Sequence, residues 1–155
     1  MELKTQIKAG EGSQDLLITR DFDLPVELLF RAYIEPEIVE EWMGTKVIKL
    51  EARRHGSWQF ETKDKSGNVL IRTNGVIHEF IPNEKITRTF EMENTPFPIQ
   101  LEYLEFDFVT AETSRLSMQI IYKSVESRNE MLKLPFEKGI NMAHNRLQEV
   151  VSKLK

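Results

Sequence analysis

The sequence predicts a single α+β domain in which one large antiparallel sheet packs against a long helix near the C-terminal end of the chain. Apolar residues recur every three or four positions between Pro135 and Leu154, which is the period of an amphipathic helix with one buried face. From Thr45 to Lys123 apolar residues instead alternate with polar ones, the period of a strand with one buried face. Short turn signals separate the alternating runs, so consecutive strands are expected to pair antiparallel.

Size and composition limit the classes of function. The 155 residues fit one domain, and 40% hydrophobic with 30% charged residues indicate a globular chain. A net charge of −4 argues against nucleic acid or an anionic membrane as the main partner. Cysteine is absent, which excludes disulfides, thiol chemistry and cysteine-ligated metals. The N-terminal residues contain no apolar signal core, so a soluble, cytoplasmic protein is expected.

Eight strands are expected in total. The first two alternating runs, Met1–Ala9 and Leu16–Phe22, are joined by turn residues and predict a hairpin. Turn residues such as those at Lys65–Asn68 and Pro82–Asn83 separate the later runs. The six later strands are predicted at Val47–Ala52, Ser57–Thr62, Val69–Phe80, Lys85–Met92, Ile99–Thr110 and Ser114–Lys123.

Two short helices are predicted between the hairpin and the later strands. Asp23 can cap the first of them, with Pro25 in its first turn. Pro36 begins the second, and Gly44 ends it. The terminal helical region covers Val125–Leu154. Pro135 suits a first helical position, which makes the piece before it a separate turn or a kinked lead-in. The buried stripe of the main helix is expected to be Phe136, Ile140, Ala143, Leu147, Val151 and Leu154.

No established catalytic or cofactor motif occurs in the sequence, so no cofactor is expected. The three histidines, His55, His78 and His144, fall on a turn, a strand and a helix, and a shared metal site is not expected. His144 lies on the flank of the buried helical stripe. It is either a hydrogen-bonded boundary residue, which the pattern favours, or a polar group that lines a pocket.

Aromatic residues are the more informative set, because several fall on predicted buried faces. Side chains gathered between a helix and a sheet can form a solid core or the wall of a cavity, and the pattern alone favours a core. A glycine on the helix, Gly139, costs about 1 kcal/mol of helix stability relative to alanine. Close approach of a strand, another subunit or a ligand is therefore expected there. The aromatic set is Phe30, Trp42, Trp58, Phe60 and Phe136.

The order and spacing of several short segments resemble one protein family. Those segments are Ile18–Pro25, Leu29–Tyr33, Pro36-Glu37, Glu41–Gly44, Leu50–Phe60, Gly75–Phe90 and Glu137–Leu147. They resemble the activator of heat-shock chaperone ATPase homologues, within the START-like (SRPBCC) superfamily, over nearly the whole chain. The resemblance implies a helix-grip fold with a deep apolar cavity between the sheet and the terminal helix. Met43, Thr45 and the Arg54–Gly56 turn depart from the family pattern, at positions that the family fold places near the cavity rim.

The first functional hypothesis that the resemblance supports is binding of a hydrophobic or amphipathic small molecule, in a stress-related setting. Possible polar handles are Arg53, Glu79 and His144, each of which could equally be a structural hydrogen-bonding residue. The candidate wall residues are Phe30, Trp42, Trp58, Phe60, Ile77, Phe90, Tyr122, Phe136, Gly139, Ile140 and Ala143.

Two alternatives remain open. A co-chaperone of the ninety-kilodalton heat-shock chaperone needs an exposed apolar patch. Met131, Leu134 and Met142 could form such a patch, or could instead mediate a homodimer. A cyclase or hydrolase using the same cavity needs two titratable groups within hydrogen-bond reach. Glu79 and His144 are the pair nominated for that role.

Overall fold

A computed structural model describes residues 3–155 and shows a helix-grip fold, with one eight-stranded antiparallel sheet and four helices. Met1 and Glu2, which open the first predicted strand, lie outside the described residues. The strands are β1 (Gln6–Lys8), β2 (Asp15–Phe22), β3 (Lys46–Leu50), β4 (Ser57–Lys63), β5 (Val69–Ile81), β6 (Lys85–Met92), β7 (Gln100–Thr110) and β8 (Thr113–Ile121). The helices are α1 (Val26–Ile34), α2 (Pro36–Met43), α3 (Val125–Leu132) and α4 (Phe136–Ser152).

The strand order is β1-β2-β8-β7-β6-β5-β4-β3, and every neighbouring pair is antiparallel. The predicted meander from β3 to β8 and the predicted N-terminal hairpin are both confirmed. β8, the last strand of the meander, pairs with β2, so the N-terminal hairpin and the meander form one continuous sheet. Helices α1 and α2 connect β2 to β3, which are far apart in the sheet, and both contact α4.

The core lies between one face of the sheet and the helices. Alternation buries Met118, Ile120 and Tyr122 on one face, as the two-residue period predicts. On α4 the predicted stripe is confirmed at Leu147 and Val151, which are buried, and is partly buried at Phe136, Ile140 and Ala143. Leu154 is exposed, contrary to prediction, because α4 ends at Ser152. No helix within residues 3–155 is long and apolar enough to cross a membrane.

The helix boundaries correct two local expectations, the cap of α1 and the first residue of α4. Pro25, not Asp23, is the N-cap of α1, and no side chain caps that end. The backbone N–H of Asp23 instead donates to Gln148 Oε1 of α4 at 2.9 Å. The segment before Pro135 is a separate helix, α3, and Pro135 is the N-cap of α4 rather than its first helical residue. Gly44 ends α2 with a φ of 66°, as predicted, since glycine adopts the left-handed conformation without steric cost.

Candidate functional site

An apolar cavity of about 200 Å³ lies where α1, α2 and α4 face the sheet. A second cavity of about 250 Å³ lies beside it, towards β4, β5 and β6. Met43, Phe60 and Arg88 line both, so the two volumes are adjacent. The first is also lined by Tyr33, Val39, Trp42, Met118, Ile140, Ala143 and His144. The second is also lined by Thr45, Trp58, Thr62, Ile71, Thr73, Phe90 and Met92.

The helical wall of the first cavity is held in place by Trp42. Its indole Nε1–H donates to the carbonyl oxygen of Ala32 at 2.7 Å, which ties α2 to α1. The rings of Trp42 and Tyr33 lie with their centroids 5.3 Å apart. Burial raises the pKa of the Tyr33 hydroxyl, which therefore stays protonated. This side of the cavity thus presents neutral aromatic surface.

The sheet wall is an aromatic cluster built on β4 and β6. The Trp58 ring centroid lies 4.8 Å from that of Phe60 and 5.9 Å from that of Phe90. Trp58 also packs against β5 at Gly75, where an added Cβ would lie 2.5 Å from the indole Nε1 and 2.0 Å from the carbonyl oxygen of Thr89. The backbone at Gly75 therefore has no space for a side chain. The buried Trp58 Nε1–H has no hydrogen-bond partner among the described residues.

Arg88 is the charged residue that lines this wall, and it forms a buried ion pair with Glu102. Arg88 Nε lies 2.9 Å from Glu102 Oε1, and the two side chains are only 13% and 5% exposed. Gln100 Nε2 donates to the other carboxylate oxygen at 3.0 Å. The Arg88 guanidinium also lies over the Trp58 ring, 5.0 Å from its centroid. The charge of Arg88 is therefore compensated before any ligand binds.

His144 reaches the first cavity from α4 and is 2% exposed. Its Nδ1 lies 2.8 Å from Thr5 Oγ1, and its ring meets that of Phe22 edge-on at 5.7 Å. Burial, with a smaller contribution from the positive charge of Arg20, lowers the pKa of His144 to about 4. The imidazole is neutral at pH 7. His144 is therefore hydrogen-bonded, as one expectation had it, but it is fully buried rather than at the boundary, and it also lines the cavity.

Six of the eleven predicted wall residues line one of the two cavities, and the other five do not. Phe30, Ile77 and Tyr122 are buried in the core without lining either cavity. Phe136 packs against the core from its edge. Gly139 is exposed, and a Cβ built there meets no described atom within 4 Å, so the expected approach of a strand is wrong. Trp42, Ile140 and Ala143 line the first cavity, Trp58 and Phe90 line the second, and Phe60 lines both.

Two of the three predicted polar handles lie outside both cavities. Arg53 is exposed and donates to the carbonyl oxygen of Arg54. Glu79 is exposed on β5, where it accepts a hydrogen bond from Thr87 Oγ1 at 2.6 Å. The structure therefore does not bring Glu79 and His144 together as an acid–base pair. No group of three histidine or carboxylate side chains that could hold a metal occurs within residues 3–155.

Arg88 is the main site residue that the sequence analysis missed. It stands two positions before Phe90 on β6, so simple alternation places both on the same face of the strand. A charged residue at an inward position was the available signal. Met43 and Thr45, predicted near the rim, do line the cavities, whereas Arg54–Gly56 do not. Of the three residues proposed for an exposed patch, Met131 is buried, because α3 packs it against the core.

Comparisons with known proteins agree with this architecture. The model of the family described as "Activator of Hsp90 ATPase homolog 1-like protein" matches residues 23–152. A solved structure from Rhodobacter sphaeroides has a TM-score of 0.85 at 17% identity and covers 97% of this chain and 99% of its own. Protein Ms6760 from Mycobacterium smegmatis has a TM-score of 0.83 at 19% identity, with 95% and 96% covered. At these identities the likeness shows the fold alone. No curated protein matches the chain.

Proposed function

Because the chain belongs to the Activator of Hsp90 ATPase homolog 1-like family of the START-like (SRPBCC) superfamily, we propose that it binds a hydrophobic or amphipathic small molecule between the sheet and α4. The observation that carries the proposal is the apolar cavity, which α1, α2, α4 and the sheet all line. Such concave, mostly apolar sites with few polar groups are typical of small-molecule binding.

The packing of the aromatic residues supports a cavity over a solid core. Trp58 packs against Gly75, and Phe136 lies at the edge of the core, so neither fills the space between Trp42 and Met118. A void of this kind leaves the surrounding side chains without contact partners on one side. A bound apolar molecule restores those contacts and removes apolar surface from water.

The shape of the site favours an elongated ligand. Each cavity alone is smaller than the roughly 300–1,000 Å³ of typical ligand pockets. Met43 lines both volumes at the C-terminal end of α2 and is partly exposed. Its unbranched thioether has three rotatable bonds and adapts readily to a neighbour. Rotation of Met43 would let one molecule extend from the first cavity into the second.

Native mass spectrometry and thermal unfolding with fatty acids, flavonoids and aromatic polyketides test the proposal. A ligand that binds only the folded state raises the melting temperature by mass action. Ala143→Leu places a larger side chain in the first cavity, whereas Gly139→Leu, one turn earlier on α4, points into open space. We expect a saturable rise for the wild type and Gly139→Leu, and its loss in Ala143→Leu.

Two results would contradict the proposal: no ligand produces a saturable rise, or the rise survives Ala143→Leu unchanged. The same native mass spectra report the number of subunits and so test the homodimer hypothesis. A pull-down with the ninety-kilodalton heat-shock chaperone tests the co-chaperone hypothesis separately.

A further inference from the structure

A buried polar cluster lies behind the first cavity, where the residues before β1 meet β2 and α4. Arg20 points to the core side of β2 and is 2% exposed, yet no carboxylate in residues 3–155 forms a salt bridge with it. Its Nη1 donates to Thr5 Oγ1 at 3.2 Å and to Asn141 Oδ1 at 3.5 Å. Thr5 Oγ1 in turn lies 2.8 Å from His144 Nδ1. The cluster therefore connects a buried cation to the cavity histidine through one hydroxyl group.

The hydroxyl of Thr5 decides which ring nitrogen of His144 carries the proton. Its oxygen already accepts from Arg20, and the hydroxyl has one hydrogen to donate. His144 Nδ1 is the acceptor within reach of that hydrogen. If Nδ1 instead carried the proton, the buried Thr5 hydroxyl would have no acceptor among its described hydrogen-bond partners. An unsatisfied buried donor is costly, so the arrangement favours an unprotonated Nδ1 and a protonated Nε2.

We propose that Arg20 and Thr5 hold His144 as a neutral Nε2–H donor that faces the first cavity and anchors a carbonyl oxygen of the ligand. This inference rests on the proposed function. His144 lines the cavity, and no group in the described part of the chain pairs with its Nε2. A donor in an otherwise apolar site selects ligands that carry an acceptor.

The charges around the cavity favour a neutral carbonyl over a carboxylate. Burying a carboxylate in an apolar site requires a compensating positive charge. Arg88 is already paired with Glu102, and Arg20 reaches the cavity through Thr5 and His144. We therefore assign the ligand class as apolar molecules with a ketone, ester or amide carbonyl.

Ring-nitrogen NMR of histidine-labelled protein tests the tautomer without any ligand. The chain has three histidines, and the exposed His78 serves as an internal reference. We expect His144 in the Nε2–H form in the wild type and in Thr5→Ser, which keeps the hydroxyl. Thr5→Val removes the hydroxyl and should produce a mixture of tautomers. An Nδ1–H form in the wild type would overturn the proposal.

A matched pair of ligands tests the carbonyl preference. 2-Acetylnaphthalene and 2-isopropenylnaphthalene have nearly the same shape, but only the ketone has an acceptor. The ratio of their dissociation constants should shift by about fivefold to tenfold against the ketone in His144→Leu, the effect of one hydrogen bond. Because the ratio compares two ligands on one protein, a general loss of stability in the variant cancels.

The outcomes separate this inference from the proposed function. If both naphthalenes bind and His144→Leu leaves their ratio unchanged, the carbonyl assignment fails while the binding function stands. If neither naphthalene binds to the wild type but a member of the fatty-acid, flavonoid and polyketide panel does, the ligand assignment fails and the proposed function stands. If nothing binds, both fail.

Discussion

The buried ion pair between Arg88 and Glu102 provides the sharpest test of the site's energetics. Two unit charges 2.9 Å apart attract by ~6 kcal/mol at an effective dielectric constant near 20, which sets a ceiling for the pair. Removing both charges from water offsets much of this attraction. Removing only one charge leaves the other buried without compensation. We therefore expect Arg88→Met to lower the free energy of unfolding by about 3–5 kcal/mol.

The double variant separates the pair from its surroundings. Arg88→Met with Glu102→Gln leaves neither charge of this pair, and Gln100 remains available to bond with the new amide. We expect the double variant to lose much less stability than the sum of the two single variants, with a coupling energy of at least about 2 kcal/mol. Urea unfolding at pH 7, followed by circular dichroism, measures each free energy.

The exposed pair of Arg31 and Glu35 on α1 is the matched control. Its side chains are 46% and 38% exposed, so the same substitutions there should give a coupling energy below about 0.5 kcal/mol. If the coupling at Arg88 and Glu102 is as small as that of the control, the buried pair does not contribute as the structure indicates.

Three further predictions concern single positions. Gly139→Ala should raise the free energy of unfolding by about 1 kcal/mol in urea unfolding, because the position is helical and an added Cβ is unobstructed. A lower free energy of unfolding would contradict the open space around this position. Gly75→Ala should lower it by more than about 3 kcal/mol, since its Cβ would meet the Thr89 carbonyl oxygen at 2.0 Å; near-neutral stability would show that the strand can shift. The lowered pKa of His144 means that the unfolded chain binds more protons between pH 6.5 and about 4, so stability should fall by on the order of 3 kcal/mol as the pH falls through that window. His144→Gln should remove this pH dependence and His78→Gln should keep it, and equal slopes in both variants would refute the assignment.

The strand order could be predicted because it depends on local signals. Alternation with a period of two and the turns between runs give a meander without long-range information. Every predicted strand after Thr45 is present, with ends that differ by at most two residues. Gly44 ended its helix as expected, because the left-handed C-cap is also a local feature.

The errors occurred where distant segments or irregular backbone decide the outcome. Simple alternation from the buried Ile77 would turn Glu79 inwards, but the pairing of β5 with β6 shifts register between these two residues. This irregularity turns Glu79 outwards and Phe80 towards Phe30, whose ring centroid lies 5.5 Å away. The expected Asp23 cap is wrong because α1 begins at Val26, which places Asp23 two residues before the N-cap, and the Asp23 carboxylate pairs with Lys155 from the far end of the chain.

The cavity itself lay beyond sequence analysis. Alternation identifies which side chains point inwards, but the volume left between them depends on how they pack. The contact between Thr5 and His144 joins residues 139 positions apart and has no local signal. Arg88, by contrast, has a local signal, because simple alternation places its charge on the same inward face as Phe90.

The central claim is that the chain binds a small molecule between the sheet and α4. It is tested most directly by methyl NMR during titration with 2-acetylnaphthalene and with each fatty acid, flavonoid and aromatic polyketide of the panel. The methyl groups of Met118, Ile140 and Ala143 line the first cavity, whereas the exposed Leu154 lies beyond the end of α4. We predict saturable shifts for the three cavity residues and none for Leu154. Unchanged cavity signals, or shifts confined to exposed residues, would contradict the claim.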